Sequence, residues 1–297
     1  MSSGTLNIAV GIATTGRRDV LARTISVLAA QTRLPNRLVI CPVKDVDVDE
    51  ASLHDFPGPA LIVRGPIGLP AQRNKIISAI ADADVIAFFD DDFFVDRHYI
   101  ERLEEIFVAN PDIVGLTGAL IADGAQGPGL TVEQGLELIR TNCDHGSDEI
   151  IDGYGAYGCN MAFRMKPILD HNLRFDEILP LYGWQEDIDF SMRICRHGRI
   201  VKATSLRGVH LGIKAGRTSG VRFGYSQMIN PIYLVRKGSM SRRHAAKLML
   251  RNIAANLARS LFPEPWVDRK GRLRGNILAL LDVLRGVIAP GRILEID

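Results

Sequence analysis

The first half of the chain alternates short, β-branched apolar runs with segments of helical period, and this order limits the fold more than any other feature. Residues 6–13, 37–43, 60–63, 85–89 and 113–121 read as buried strands. Between them, Leu21, Thr24, Ile25 and Leu28 recur at helical spacing, as do Ile76, Ile77 and Ile80 behind Pro70, and Tyr99, Leu103 and Phe107. Proline is tolerated in a first helical turn, so Pro70 starts a helix instead of breaking one. Strand–helix–strand order implies parallel strands joined by helical crossovers, hence an α/β fold with a mostly parallel central sheet flanked by helices. The Gly-rich, weakly patterned stretch 123–152 reads as a long, mobile loop. Strands are expected again over 154–163, 200–203 and 207–212, with a helix through 186–193. Beyond Gly220 the pattern turns helical, and 241–262 and 272–289 read as two amphipathic helices.

Composition matters mainly through its asymmetry. Overall the net charge is +2, with 46% hydrophobic and 24% charged residues, ordinary for a globular protein. Residues 1–235 nevertheless hold 23 Lys/Arg against 29 Asp/Glu, and residues 236–297 hold 13 against 5. An acidic body with a basic end points to an anionic surface as that end's partner. The cysteines Cys41, Cys143, Cys159 and Cys195 include no C-x-x-C pair, so neither a zinc site nor a disulfide framework is expected, and free thiols suit a reducing compartment. No secretory signal and no transmembrane helix are expected, since the most apolar late stretch, 276–289, is cut by Asp282 and Arg285.

The run DVIAFF stops abruptly at Asp90-Asp91-Asp92. In open α/β sheets ligands bind beyond the carboxyl ends of strands, which is where these carboxylates fall. Three adjacent carboxylates repel one another and call for a compensating cation. A hard divalent ion answers that need, with diphosphate oxygens completing its shell. Further along, Glu186 and Asp187 open a helix, whose dipole keeps carboxylates ionised; they are candidates for a general base or for simple N-terminal capping.

With these motifs in order, residues 6–237 resemble family 2 glycosyltransferases of the GT-A fold. The resemblance rests on IAVGIATTGRRDVLARTISVLAAQT at the start, GLPAQRNK (68–75), FFDDDFF with its D-x-D-type motif, YGCNMAFR (157–164), GWQEDIDFSMR (183–193) and GVHLG (208–212). It implies an inverting, metal-dependent transfer of a sugar from a nucleotide-diphosphate sugar to a hydroxyl of a glycan or lipid-linked acceptor, in polysaccharide biosynthesis. Asp92 would be the principal ligand of Mn²⁺ or Mg²⁺, with Asp90 and Asp91 on nucleotide and metal. His210 would join the metal or the diphosphate, although a histidine in a short apolar strand can equally be a satisfied core residue. Lys214 and Arg217 are phosphate-binding candidates. Asp187 would be the base, and Glu186 its alternative or an acceptor-binding group.

On the donor side the resemblance implies Arg73 and Asn74, closing over the diphosphate, and the loop Ala13-Thr14-Thr15-Gly16-Arg17 beneath the nucleobase. That loop lacks the Pro-x-Tyr/Phe-Asn pattern of many relatives. The Asp that grips uracil in relatives would be Asp45 or Asp47. On the acceptor side it implies Tyr157 and Asn160, with Trp184 either stacking on a sugar or filling the core.

These readings divide the chain into a catalytic domain, 1–237, and a basic helical extension, 238–297. In the extension Ala246, Leu250, Ile253, Leu257 and Leu261 form one stripe flanked by Arg243, Lys247, Arg251 and Arg259. Such helices either pack on the core or rest on anionic lipid, which would put a cytoplasmic protein on the inner face of the plasma membrane. No aromatic interleaving suggests nucleic acid. A phosphohydrolase would want Thr or Val two residues past its second Asp, where this chain has Asp92-Phe93-Phe94. A nucleotidyltransferase would need a fuller Gly-rich loop than TTGRR. A non-catalytic nucleotide-sugar-binding protein would have no use for Glu186 and Asp187.

Overall fold

The computed structural model describes residues 5–142, 148–214 and 219–296. Its elements in chain order are β1 (Ile8–Thr14), α1 (Arg18–Ala29), β2 (Arg37–Pro42), α2 (Glu50–His54), β3 (Ala60–Ile62), α3 (Leu69–Ala79), β4 (Val85–Asp90), β5 (Phe93–Val95), α4 (Tyr99–Ala109) and β6 (Ile113–Asp123). They continue with α5 (Val132–Thr141), β7 (Ile150–Asp152), β8 (Asn160–Arg164), α6 (Met165–Asp170), α7 (Glu186–Ile194), β9 (Arg199–His210), α8 (Gly220–Lys237), α9 (Arg242–Arg259) and α10 (Arg269–Leu284).

One sheet runs in the order β3-β2-β1-β4-β8-β6-β9-β5, with β7 also on β9. The strands β3, β2, β1 and β4 are parallel, as the alternation predicts, and β8 is antiparallel to both β4 and β6. Consecutive strands β1 to β3 step outward on one side and β4 lies on the other, so the direction of travel reverses between β1 and β4. A crevice opens beyond the carboxyl ends of the strands at such a switch point. The central strands are apolar on both sides because helices cover both sheet faces. Ile8, Val10, Ile12, Val85, Ala87 and Phe89 face one core with α1 and α4, while Ala9, Ile86 and Phe88 face the other with α3 and α7.

Several expectations are corrected. The stretch 123–152 is not one long loop, since it holds α5 and β7. Thr131 and Gln134 form a reciprocal capping box at the start of α5, with Thr131 Oγ1 accepting from the Gln134 amide. Residues 143–147, including Cys143, lie outside the described residues. Of 154–163 only 160–163 belong to a strand, and the two short strands expected over 200–212 are one continuous β9, bent where its register with β6 shifts. β5, only three residues long, pairs antiparallel with the end of β9, so that Phe93 faces His210.

The last three helices pack on each other. Glycines let α8 and α10 touch: a Cβ at Gly224 would sit 2.1 Å from the Arg272 carbonyl oxygen, and one at Gly275 would sit 2.1 Å from that of Val221. Below them Asn256 donates to Gln227 and Asn276, and Asn276 donates to the Gly224 carbonyl. In α9 the buried side runs through Ala245 and Asn256, so Leu250 and Leu257 of the sequence stripe point outward, and Leu261 lies exposed past the helix end. No described helix is long and apolar enough to cross a membrane. Gly275→Val should lower the melting temperature by several degrees, since overpacking of this kind costs about 1–3 kcal/mol and each kcal/mol shifts a domain of this size by about 2–4 °C. An unchanged melt by circular dichroism would mean that the α8–α10 contact adds nothing to stability.

Candidate active site

The acidic cluster lies in the tight connection from β4 to β5, and backbone hydrogen bonds staple it to the chain leaving β9. The Leu211 amide donates to the Asp92 carbonyl oxygen at 2.9 Å, and the Ile213 amide to Asp92 Oδ2 at 2.8 Å. Thr24 Oγ1 donates to the Asp91 carbonyl at 2.7 Å. These contacts turn the three neighbouring carboxylates to different tasks.

Asp91 points into the protein. Its two oxygens accept from Thr14 Oγ1 at 2.7 Å and from Arg17 Nη1 at 2.8 Å. Arg17 also donates to the Ile213 carbonyl and stands 3.6 Å from Asp92. Asp91 therefore spends both oxygens on bracing the first loop while also lining the cleft at the strand ends.

Asp90, Asp92 and His210 converge. One ligating atom from each lies within 4.8 Å of the others. His210 Nε2 stands 3.4 Å from Asp92 Oδ1 and 3.8 Å from Asp90 Oδ2. The other ring nitrogen, Nδ1, is 2.9 Å from Asp123 Oδ1, an arrangement that leaves Nε2 free to ligate. Asp92 Oδ1 is buried and has no hydrogen-bond partner. An orphaned, buried carboxylate oxygen facing an imidazole and a second carboxylate fits a divalent cation with mixed N/O ligation. Burial alone would lower the His210 pKa, but Asp123, Asp92 and Asp90 together push it up to about 10. The negative charge gathered here thus draws in a proton where no other cation sits.

The second carboxylate centre is wired to the first through Arg73. This side chain on α3 is 2% exposed, and it donates to Glu186 Oε1 and, at 2.8 Å, to the Gly158 carbonyl. The same guanidinium stands 3.5 Å from Asp90 Oδ1. Gly158 in turn donates its amide to Asp187 Oδ2 at 3.1 Å, and Asp187 Oδ1 accepts from the Ile188 amide at 2.8 Å. Glu186 is buried, with Oε1 paired to Arg73 and Oε2 without a partner, and burial pushes its pKa up to about 8 against the pull of Arg73. Asp187 is half-buried, and burial pushes its pKa above the usual carboxylate range against the pull of the Ile188 amide and Arg73. The loop before it is bent through positive φ at Leu181 (58°), Gly183 (60°) and Gln185 (74°). Left-handed non-glycine residues persist where the surroundings enforce them, and they cluster at working sites.

A cleft of about 390 Å³ opens at the strand ends, within the size range of small-molecule sites. Ala13, Thr14, Arg17, Asp90, Asp91, Asp92 and His210 line it. Tyr157 is outside its lining but packs edge-on against His210, with its hydroxyl 3.3 Å from Asp123 Oδ2. Trp184 stands behind Phe223, a wall residue, with ring centroids 6.0 Å apart.

Four expected site residues are placed elsewhere. Asn74 turns away from the cleft and bonds Phe175 through both backbone groups and Glu177 through its carboxylate. Asn160 opens β8 and is fully buried within the sheet, where its Oδ1 accepts from Thr117 at 2.6 Å. Asp45 is exposed and paired with Arg64 outside the cleft, while Asp47 is buried and braces the first loop by accepting from the Gly16 amide. Lys214 donates to the carbonyls of Gly124 and Ala125, and Arg217 lies outside the described residues.

Sequence reading missed Asp123, Gln72, Phe223 and Arg272. Gln72 clamps the strand ends by donating to the Thr14 and Cys41 carbonyls. Arg272, from α10, lies 4.5 Å over the Phe223 ring in the cleft wall. GLPAQRNK carried the one available signal, for Gln72; the others are brought in by distant segments.

Comparison with known proteins agrees with this geometry. A family model described as glycosyl transferase family 2 matches residues 9–167, which takes in both β1 and the acidic cluster. No curated protein matches the sequence. Among solved structures, Staphylococcus aureus TarS 1–349 in complex with UDP-GlcNAc is similar over 97% of this chain and 83% of its own, with a TM-score of 0.58 at 13% identity. GalNAc-T7 with UDP, GalNAc and Mn²⁺ is similar over 99% of this chain and 57% of its own, with a TM-score of 0.55 at 13% identity. Against the longer TarS structure this chain spans 44% of the length, with a TM-score of 0.52. At such identities the likeness is one of fold, a GT-A fold with a helical C-terminal region. With the family model covering more than half its length, this chain belongs to glycosyl transferase family 2.

Proposed function

We propose that the chain is an inverting glycosyltransferase that uses a divalent metal, Mn²⁺ or Mg²⁺, and a nucleoside-diphosphate sugar. The observation that carries this reading is the pairing of two centres: the Asp90–Asp92–His210 cluster with its orphaned Asp92 oxygen, and the half-buried Asp187 one peptide unit from Arg73. Two similar structures hold UDP-GlcNAc in one case and UDP with Mn²⁺ in the other, which supports a nucleotide-sugar donor. The acceptor would be a hydroxyl of a glycan or lipid-linked glycan, as in polysaccharide assembly.

Asp92, Asp90 and His210 would hold the metal, which supplies charge neutralisation for a departing diphosphate. Asp123 fixes the His210 ring, and Arg17 with Thr14 sets the loop on which the acidic cluster depends. Asp187 takes the acceptor hydroxyl's proton as that oxygen bonds to the anomeric carbon and the carbon–oxygen bond to the diphosphate breaks. Its raised pKa makes it a stronger base than an exposed carboxylate would be. A single base on one side of the reacting carbon and the leaving group on the other give inversion in one displacement. Arg73 pairs with Glu186 and, through Gly158, is linked to Asp187. The cleft wall of Leu181, Tyr182 and Phe223 shields the reacting groups from bulk water.

The test is metal-dependent release of nucleoside diphosphate from a panel of UDP-, GDP- and dTDP-sugars. One donor class should be consumed with Mn²⁺ or Mg²⁺ and spared in excess EDTA. Equal consumption in EDTA would remove the metal from the reaction, and consumption of none with a glycan acceptor present would favour a binding protein.

A further inference from the structure

We propose that the outer face of α9 and α10 is a docking surface for an anionic lipid bilayer. Half of the exposed large hydrophobic side chains among the described residues fall between Leu250 and Leu294. On α9, Leu250 and Leu257 are 67% and 58% exposed and share one face at a spacing of seven residues, and Leu261, just past the helix end, is 77% exposed. On α10, Ile277, Leu281 and Leu284 do the same at spacings of four and three, with Leu284 83% exposed. Both faces are turned from α8, because α9 buries Ala245 and Asn256 and α10 buries Gly275, Ala279 and Asp282 on the inner side. Phe262, in the connection between the helices, is 86% exposed. A folded protein rarely leaves so large an apolar patch to water unless something covers it.

Charge decides what covers it. Exposed Arg243, Lys247 and Arg251 flank the α9 leucines, and exposed Lys270, Arg274 and Arg285 flank those of α10. α9 contains no Asp or Glu, and the single acid of α10, Asp282, is 1% exposed and held by Tyr225 and Arg292. Glu264, between the helices, is occupied by Arg259 and Arg269. Apposing two copies of this face would set cation against cation, whereas an anionic headgroup layer complements it while the leucines and Phe262 enter the acyl boundary. The same α10 carries Arg272 in the cleft wall. Ile277 lies five residues further on, about 7.5 Å along the axis and about 140° round it, so the cleft wall and the docking face are carried by different sides of one helix. The proposal holds whichever sugar is transferred.

Flotation of the full chain with vesicles is the test. Phosphatidylcholine containing 30% phosphatidylglycerol should carry at least ten times more protein to the top than phosphatidylcholine alone, and 0.5 M NaCl should reduce that binding because it screens the headgroup charge. The combined variant Leu250→Glu, Leu257→Glu, Leu261→Glu alters exposed positions only and should stay at the bottom with an unchanged melting temperature. Trp266, 39% exposed in the α9–α10 connection, gives a second readout in the unaltered chain, since brominated phosphatidylglycerol should quench its emission. Absence of flotation and quenching with anionic vesicles would overturn the proposal. So would equal binding to neutral vesicles, or a dimer in sedimentation that the leucine variant dissolves while the wild-type chain ignores lipid.

Discussion

Asp92→Asn is expected to cut sugar transfer by about 10³-fold or more, several kcal/mol of lost charge stabilisation, while the protein still folds. The amide side chain keeps an oxygen to accept from the Ile213 amide, as Asp92 Oδ2 does now. What disappears is the negative charge on the orphaned Oδ1 facing His210. The check is turnover over a range of Mn²⁺ concentrations beside a thermal melt. Activity within a few-fold of wild type would remove Asp92 from the metal site, whereas a collapsed melt would mark it as structural. Asp91 offers the contrast. Thr14 and Arg17 already use its oxygens, so Asp91→Asn should act mainly by loosening the first loop, with lower stability and a smaller loss of metal response.

The second large effect concerns Asp187 and its neighbour. Asp187→Asn should lower kcat by about 10²–10⁴-fold, the usual contribution of a positioned base, and leave donor binding near wild type. Its pH dependence follows from the raised pKa. A carboxyl held above its ordinary range by burial is protonated, and useless as a base, up to a higher pH than a free one. The acid limb of the wild-type rate profile should therefore fall above the ordinary carboxylate range, and Asp187→Asn should flatten it. Glu186→Gln should behave differently. It leaves the fully buried Arg73 guanidinium without its main counter-charge, and breaking a buried pair in this way costs about 3–5 kcal/mol of stability. If Glu186→Gln lost turnover with its melt intact while Asp187→Asn retained turnover, the roles assigned to the two carboxylates would be reversed.

What could be read in the sequence follows from how local each signal is. The parallel half of the sheet was legible because each strand is a contiguous apolar run and each crossover helix has its own apolar face. The acidic cluster was legible for the same reason, as an interruption of β4. β5 was not, because three residues carry no period, and only the pairing of Phe93 with His210 makes them a strand. The continuity of β9 was hidden by Thr204 and Ser205, polar residues that sit where its register with β6 shifts. The α5 start was visible in Thr131 and Gln134, but the Gly-rich flanks obscured it. Polar residues were the hardest to assign. Asn74, Asn160 and Glu186 stand inside motifs shared with relatives, yet each bonds a partner 43–113 residues away. Asp123 and Arg272 enter the site from segments with no motif at all. Long-range hydrogen bonds leave no trace in local spacing, and they decide which polar residue faces a ligand.

The most direct test of the central claim is a melting-temperature titration of the wild-type chain and Asp92→Asn with UDP, GDP and dTDP, each with and without Mn²⁺. The account predicts that one nucleoside diphosphate stabilises the wild type by several degrees only when Mn²⁺ is present, and that Asp92→Asn shows no such shift. Stabilisation by a nucleotide to the same extent without metal, or in Asp92→Asn as in wild type, would contradict a metal-bridged diphosphate site at Asp90, Asp92 and His210.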